Sequence, residues 1–354
     1  MINFKIGILG TGWIAEKVAD TITKLDAFEV YAVASRDAGK AAALAEKYGA
    51  KKSYGSYEEL VQDKEVELVY VATPHQCHAE NATLCINAGK PVLVEKPFSY
   101  NTKTAQDVIA LAKEKKVFCG EAMWMSYAPL LKLTQKLIEN RRIGDLRYIN
   151  ASLCYDLLGK ERLVKPEYAG GALLDIGVYP LVMVFSLMGQ MPMAASSSCV
   201  RLSTGVDAVD TVQINFQQGK AATVFTSMMY DSENMCVIYG TEGRIEIDTV
   251  NYPNEVRIYD KKNQLAERAT TSEMEISGYE HQFLAARKAV ITGNLECEDR
   301  PHKEILNTLT FCDMLRRSWG IFYPLPGEEI LKNMPNHPPK NGKPDGSAPG
   351  IKRV

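Results

Sequence analysis

The chain has 354 residues, 46% of them hydrophobic, with 41 basic against 43 acidic side chains and a formal net charge of −2. That length is enough for two hydrophobic cores. The balanced charge, without a basic block or stripe, argues against nucleic acid and anionic membrane as main partners. Apolar runs read as short of a membrane span, and Met1 to Ile6 leads into a strand pattern without signal-peptide architecture. The expected compartment is the cytoplasm. Eight cysteines, at 77, 85, 119, 154, 199, 236, 297 and 312, include no Cys-x-x-Cys pair. They read as reduced, mostly buried thiols rather than disulfides or zinc ligands. His75 and His78 bracket Cys77, but a third ligand is missing nearby, so no metal is expected.

In chain order, Phe4 to Leu9 alternates as a strand and runs into Gly10-Thr11-Gly12-Trp13-Ile14-Ala15, with a helical pattern from about Trp13 to Leu25. A Gly-x-Gly-x-x-Ala run between a strand and a helix is the setting in which it binds a dinucleotide. Gly10 permits the tight turn, Gly12 lets the backbone approach a pyrophosphate, and Ala15 lets helix and strand pack closely. A second strand, Phe28 to Ala34, ends in Ser35-Arg36-Asp37. An acidic residue usually meets the adenosine ribose at this point. A hydroxyl and a guanidinium suit a 2′-phosphate instead, which favours NADP, while Asp37 keeps NAD possible.

A helix is expected over 38–48, a turn and short helix over 54–62, and a buried strand from Glu65 to Thr73. That strand ends in Thr73-Pro74-His75. A helix over 77–88 stops at Gly89, before Val92-Leu93-Val94-Glu95-Lys96-Pro97-Phe98. This short apolar strand closes on a lysine that is costly to place against a sheet unless its charge is used. In an open parallel sheet the carboxyl ends of the strands form the ligand crevice, so Lys96 and His75 face one site. A helix from Asn101 to Lys115 and a strand from Val117 to Met123 complete a doubly wound parallel sheet.

The rhythm changes after Trp124. A helix near 128–140, a strand at 146–156 and an apolar helix reaching about Met188 precede short alternating strands from 196 to 258, read as an antiparallel sheet. Helices follow near 279–292 and 301–318. The expected division is a dinucleotide domain at 1–123, a substrate and oligomerisation domain at 124–332, and an extended Pro/Gly-rich tail at 333–354.

Five stretches together resemble the glucose-fructose oxidoreductase/inositol dehydrogenase family. They are Gly10 to Ala15, Ala72 to His75, Glu95-Lys96-Pro97, Glu121 to Trp124, and Gly170-Gly171-Ala172-Leu173-Leu174-Asp175-Ile176-Gly177-Val178-Tyr179-Pro180. The similarity is greatest to the branch of dimeric dihydrodiol dehydrogenase and NADP-linked xylose dehydrogenase. The resemblance implies an α/β protein: a Rossmann domain, then an α/β domain whose open, mainly antiparallel sheet often forms a homo-oligomer interface. It implies an NAD(P)-dependent dehydrogenase or reductase acting on the CH–OH group of a sugar, polyol or diol. Catalytic roles fall on Lys96, Tyr179 and Asp175, with tyrosine where most relatives have histidine. Cofactor contacts fall on Gly10, Thr11, Gly12, Trp13, Ile14, Ser35, Arg36, Thr73, Pro74, His75, Glu95 and Lys96.

The chemistry agrees with that set. Alcohol oxidation needs a base for the hydroxyl proton while hydride leaves for the nicotinamide. Free tyrosine titrates near about pH 10, and an adjacent lysine ammonium is expected to lower that value. Asp175, one turn before Tyr179 on a helix over 174–187, shares its face and orients Lys96 or the substrate. Trp124 and Tyr155 are expected to wall the substrate pocket beside Tyr179. Ser126 stands where relatives commonly carry arginine, so substrate identity does not transfer. The competing class is a non-catalytic dinucleotide-sensing regulator, which needs neither Lys96 nor Tyr179. Glycosidase-like relatives that hold NAD favour an acid after the second strand, against Ser35-Arg36.

Overall fold

The computed structural model describes residues 3–272 and 275–333; the expected tail, beyond Asn333, lies outside the described residues. The first half alternates β1 (Phe4–Leu9), α1 (Trp13–Thr23), β2 (Phe28–Ala34), α2 (Ala38–Lys47), β3 (Lys52–Tyr54), α3 (Tyr57–Gln62), β4 (Leu68–Val71), α4 (His78–Asn87), β5 (Val92–Glu95), α5 (Thr102–Lys115) and β6 (Cys119–Ala122). All pairings are parallel in the order β3-β2-β1-β4-β5-β6. The order reverses between β1 and β4, and that switch point opens a crevice at the strands' carboxyl ends. β4 and β5 are buried throughout, as strands covered by helices on both faces must be. The short β3 was not expected; its Lys-Ser-Tyr sequence is largely exposed and carries no apolar alternation.

The second half contains α6 (Pro129–Glu139), β7 (Leu146–Cys154), α7 (Val178–Met188), β8 (Ala194–Arg201), β9 (Asp207–Asn215), β10 (Ala221–Ser227), β11 (Cys236–Gly240), β12 (Gly243–Ile247), β13 (Glu255–Asp260) and β14 (Leu265–Thr270). These strands form one sheet in the order β14-β13-β12-β11-β7-β10-β9-β8. The sheet is mixed rather than purely antiparallel, because β7 and β10 pair in parallel. β14 extends it past the expected limit, along an exposed edge where Leu-Ala-Glu-Arg-Ala-Thr shows no alternation.

Two features depart from the sequence reading in ways that shape the site. Residues 173–177 wind as a π-turn leading into α7 rather than as regular helix. Pro166–Met188 is long and apolar enough to cross a membrane by composition, contrary to expectation, but 89% of its most apolar 18-residue stretch is buried inside the protein. It packs in the core between β7 and β10 and its neighbouring helices.

The last helices, α8 (Glu280–Ile291), α9 (His302–Trp319) and α10 (Glu328–Asn333), return to the first sheet. Phe283 packs on Tyr70 with ring centroids 5.2 Å apart. Ile305 and Leu309 join the first core, while Phe311, Cys312 and Leu315 of the same helix join the second. All eight cysteines are free thiols.

Candidate active site

At the end of β1 the chain turns through Gly10, whose φ is +108°, and an added Cβ there would stand 2.6 Å from the Ala72 carbonyl oxygen. Only glycine allows β1 and β4 to approach this closely. Around Gly12 an added Cβ would meet nothing within 4 Å among the described residues. The α1 N-terminus begins there with no side-chain cap among them. Its first amides thus point into open space beside Thr11, Ile14 and the exposed Trp13, which is the donor arrangement a pyrophosphate requires.

After β2, Ser35 is buried and its Oγ accepts the Asp37 N–H at 3.2 Å. Asp37 Oδ1 accepts the Lys40 N–H at 3.1 Å and so caps α2. The exposed Arg36 stands beside Tyr57 and Cys77, and Asp37, though it caps α2, is exposed next to it. The His78 ring bridges the carbonyl oxygens of Thr73 and Pro97 at 2.7 Å each. It ties the Thr73-Pro74-His75 loop to the Lys96–Pro97 corner, whose peptide is cis.

The chemistry-bearing groups converge where those two loops meet the π-turn. Lys96 Nζ donates to the Asp175 backbone oxygen at 2.7 Å and lies 3.3 Å from Asp175 Oδ1. Arg162 Nη1 donates to the same Oδ1 at 3.1 Å, and His75 Nε2 lies 3.4 Å from it. Burial alone would raise the Asp175 carboxyl pKa, but the Lys96, His75 and Arg162 interactions together hold it well below the ordinary range. Burial lowers the pKa of His75, so the ring is neutral near pH 7. Glu95 points inward: it accepts the Tyr70 hydroxyl, and its Oε2 accepts the Lys96 N–H at 3.1 Å. Burial raises its pKa to about 7.

Tyr179 is 8% exposed, and the Lys96 ammonium stands over its ring, 5.1 Å from the centroid. The expected lowering of the tyrosine pKa is not what the site produces. Burial pushes it well above 10, and Tyr279, Glu95 and Asp175 push in the same direction. The Lys96 ammonium is engaged by Asp175 and stands over the ring, and burial of the phenol outweighs it. The Trp124 indole N–H makes no full hydrogen bond among the described residues, yet it lies near enough to Tyr179 to offset part of that rise. Tyr179 is therefore protonated.

Trp124 stacks on Tyr279 at 4.2 Å and on Tyr252 at 4.6 Å. Together with Tyr155, whose hydroxyl donates to Asn251 Oδ1 at 3.2 Å, Trp124 lines a cleft of about 350 Å³ that also includes Thr271 and Glu275. Lys96, Asp175 and Tyr179 do not line this cleft, so the expected wall of Trp124, Tyr155 and Tyr179 is not assembled around one cavity, and the Trp124 ring is itself stacked on two tyrosines. Ser126 is buried in the turn Trp124–Tyr127. Sequence reasoning missed Arg162, which sits in an aperiodic loop, and Tyr252 and Tyr279, which reach Trp124 only through the fold.

The two halves match the family models described as "Oxidoreductase family, NAD-binding Rossmann fold" over 4–123 and "GFO/IDH/MocA C-terminal domain" over 131–246. Trans-1,2-dihydrobenzene-1,2-diol dehydrogenase of Danio rerio is 31% identical over 326 residues, covering 90% of this chain and 97% of that one. The NADP(+)-dependent scyllo-inositol 2-dehydrogenase of Bacillus subtilis (strain 168) is 32% identical over 333 residues, covering 92% and 99%. Among solved structures, a 3-ketoreductase of Actinomadura kijaniata in complex with NADP and TDP-benzene superposes with a TM-score of 0.80 at 23% identity, covering 89% and 97%. A levoglucosan dehydrogenase complexed with NADH and levoglucosan gives 0.79 at 19% identity, covering 90% and 97%. The doubly wound domain and its open cradle thus mark an NAD(P)-dependent oxidoreductase of the dehydrogenase/reductase class. The chain belongs to the GFO/IDH/MocA family.

Proposed function

We propose that the protein interconverts an alcohol and a carbonyl on a small polyhydroxylated substrate, a sugar, polyol or diol, with NADP as preferred partner. The bound nicotinamide would supply or accept the hydride. The observation that carries this reading is the convergence of Lys96, Asp175 and His75 above Tyr179, at the mouth of the cradle.

Tyr179 holds a proton in a buried site, so in carbonyl reduction its hydroxyl donates to the substrate oxygen. In the reverse direction the phenolate takes that proton back. Lys96 is fixed by Asp175 and offers its remaining N–H groups to the same oxygen. Glu95 acts beneath Lys96 and fixes its backbone rather than touching the nucleotide. Gly10 to Ile14 cradle the pyrophosphate, Ser35 and Arg36 receive the 2′-phosphate, Thr73 to His75 border the ribose, and Trp124 and Tyr155 wall the substrate. Two further parts of the reading are a homodimer or higher oligomer in the cytoplasm, and a division of the chain near 123. A non-catalytic sensor is disfavoured, because it needs no buried proton donor beside a fixed lysine.

Lys96→Met tests the reading. Turnover should vanish while NADPH affinity stays within about tenfold, since the lysine acts on the substrate oxygen. Full activity in that variant would remove Lys96 from the reaction.

A further inference from the structure

Beneath the π-turn lie two carboxyl groups that the proposed chemistry does not use. Asp207 and Asp210, both on β9, are 0% and 1% exposed. Residues three apart on a regular strand point to opposite faces. Here the β8–β9 register slips, with Val200 opposite Val209 and Arg201 opposite Asp207. Ala208 is the extra residue of a bulge that re-aims Asp207 into the interior.

Both ends of the π-turn rest on this pair. Asp207 Oδ2 accepts the Leu173 N–H at 2.5 Å. Its Oδ1 lies so near Gly171, where φ is +114°, that an added Cβ would stand 2.3 Å away. Asp210 Oδ2 accepts the Thr226 hydroxyl at 3.1 Å. Thr226 in turn backs Gly177, whose added Cβ would lie 3.5 Å from its Oγ1. Gly171 of the motif is thereby explained, since it leaves room for the Asp207 carboxyl, while Gly170 lets the chain pass the Leu163 carbonyl, 2.5 Å from an added Cβ. Each acid keeps one buried oxygen, Oδ1, without a partner among the described residues. Two neighbouring buried carboxylates resist joint ionisation, whereas a single proton between them satisfies both oxygens.

We infer that Asp207 and Asp210 share one proton and form a positioning device that sets the π-turn and, through it, Asp175 against Lys96. Burial and the Asp207 charge both push the Asp210 carboxyl well above its usual range, which makes it the proton's holder. The groups facing the pair are Cys199 of β8, Cys312 and Arg316 of α9, and Tyr323 beyond it. Arg316 is itself paired with Asp313 and Glu328, so it only partly compensates a charge on Asp207. The shared proton stands on the fold alone; only its kinetic consequence rests on the proposed reaction.

The test compares the full-length wild type with Asp210→Asn and Asp207→Ala. A group protonated in the folded state and ionised in the unfolded one contributes stability that falls as pH rises from about 4. The melting-temperature advantage of wild type over Asp210→Asn should therefore shrink steadily from pH 4 to pH 8. Above about pH 8, where Glu95 is ionised, infrared spectra of the wild type should also show a protonated-carboxyl band that Asp210→Asn lacks. A pH-independent difference, or a wild type without that band, overturns the shared proton. In turnover, Asp207→Ala, which removes the acceptor of the Leu173 N–H, should lower kcat about tenfold more than Asp210→Asn, whose amide still donates, with KM within about threefold. Equal losses in kcat overturn the positioning role. Absence of turnover in every form would count against the proposed reaction, while the melting and infrared results would still decide the proton.

Discussion

Asp175 Oδ1 accepts from Arg162 and stands beside Lys96 and His75, so this one oxygen fixes three side chains from three separate loops. Three of those four residues were legible as chemistry in the sequence, because each closes a short motif. Arg162 was not, because nothing in Lys160 to Lys165 distinguishes it from a solvated loop cation. The electrostatics of Tyr179 were also hidden, since they depend on how deeply the fold buries the phenol and on which groups it brings beside it. At this scale Arg36 makes a sharp prediction. With Asp37 committed to capping α2, Arg36→Ala should weaken NADPH far more than NADH in paired binding titrations. Equal effects would contradict the phosphate assignment. Glu95 makes a second. Its pKa is raised to about 7, above an unfolded value of about 4.3, so its contribution to stability is present below about pH 4 and is lost as pH rises through 7. The melting temperature of wild type should therefore fall relative to Glu95→Gln across that window. A constant difference would show that Glu95 does not titrate there.

Elements with strong apolar patterning were read nearly to the residue. β1 and β2 run as expected, and α5 starts where Asn101 caps it through the Thr104 N–H. What the pattern could not show lies at edges and irregularities. β3 and β14 are exposed and polar, so they offer no alternation to read. The π-turn at 173–177, Leu-Leu-Asp-Ile-Gly, is buried throughout and looks like ordinary helix in sequence. The β1–α1 turn makes the prediction for this scale. Gly10→Ala places a Cβ 2.6 Å from the Ala72 carbonyl at a φ of +108°. Such a conformation costs about 1–3 kcal/mol, so the variant should melt at lower temperature and lose nucleotide affinity. Unchanged affinity would mean that the turn does not shape the cradle.

At the scale of the whole molecule, a buried ion pair ties the segment leading into α9 to the first sheet. Arg300 Nε meets Glu121 Oε2 at 2.7 Å, and both side chains are at most 3% exposed. The other oxygen of Glu121 accepts the Phe98 N–H at 2.8 Å, just beyond Lys96–Pro97. Breaking such a pair from one side leaves an uncompensated buried charge and costs about 3–5 kcal/mol. Arg300→Ala should accordingly lower the melting temperature markedly, and an unchanged melt would contradict the clamp. The return of α8 and α9 to the first sheet was not legible, because helix patterns alone do not say which sheet a helix covers. The account as a whole is tested most directly by titrating the purified protein with NADPH and NADH under fluorescence, then assaying the same sample against aldoses, polyols and diols. Tighter binding of NADPH, with turnover on a member of that panel, is the predicted result. Failure to bind either nucleotide would contradict the account at its first motif.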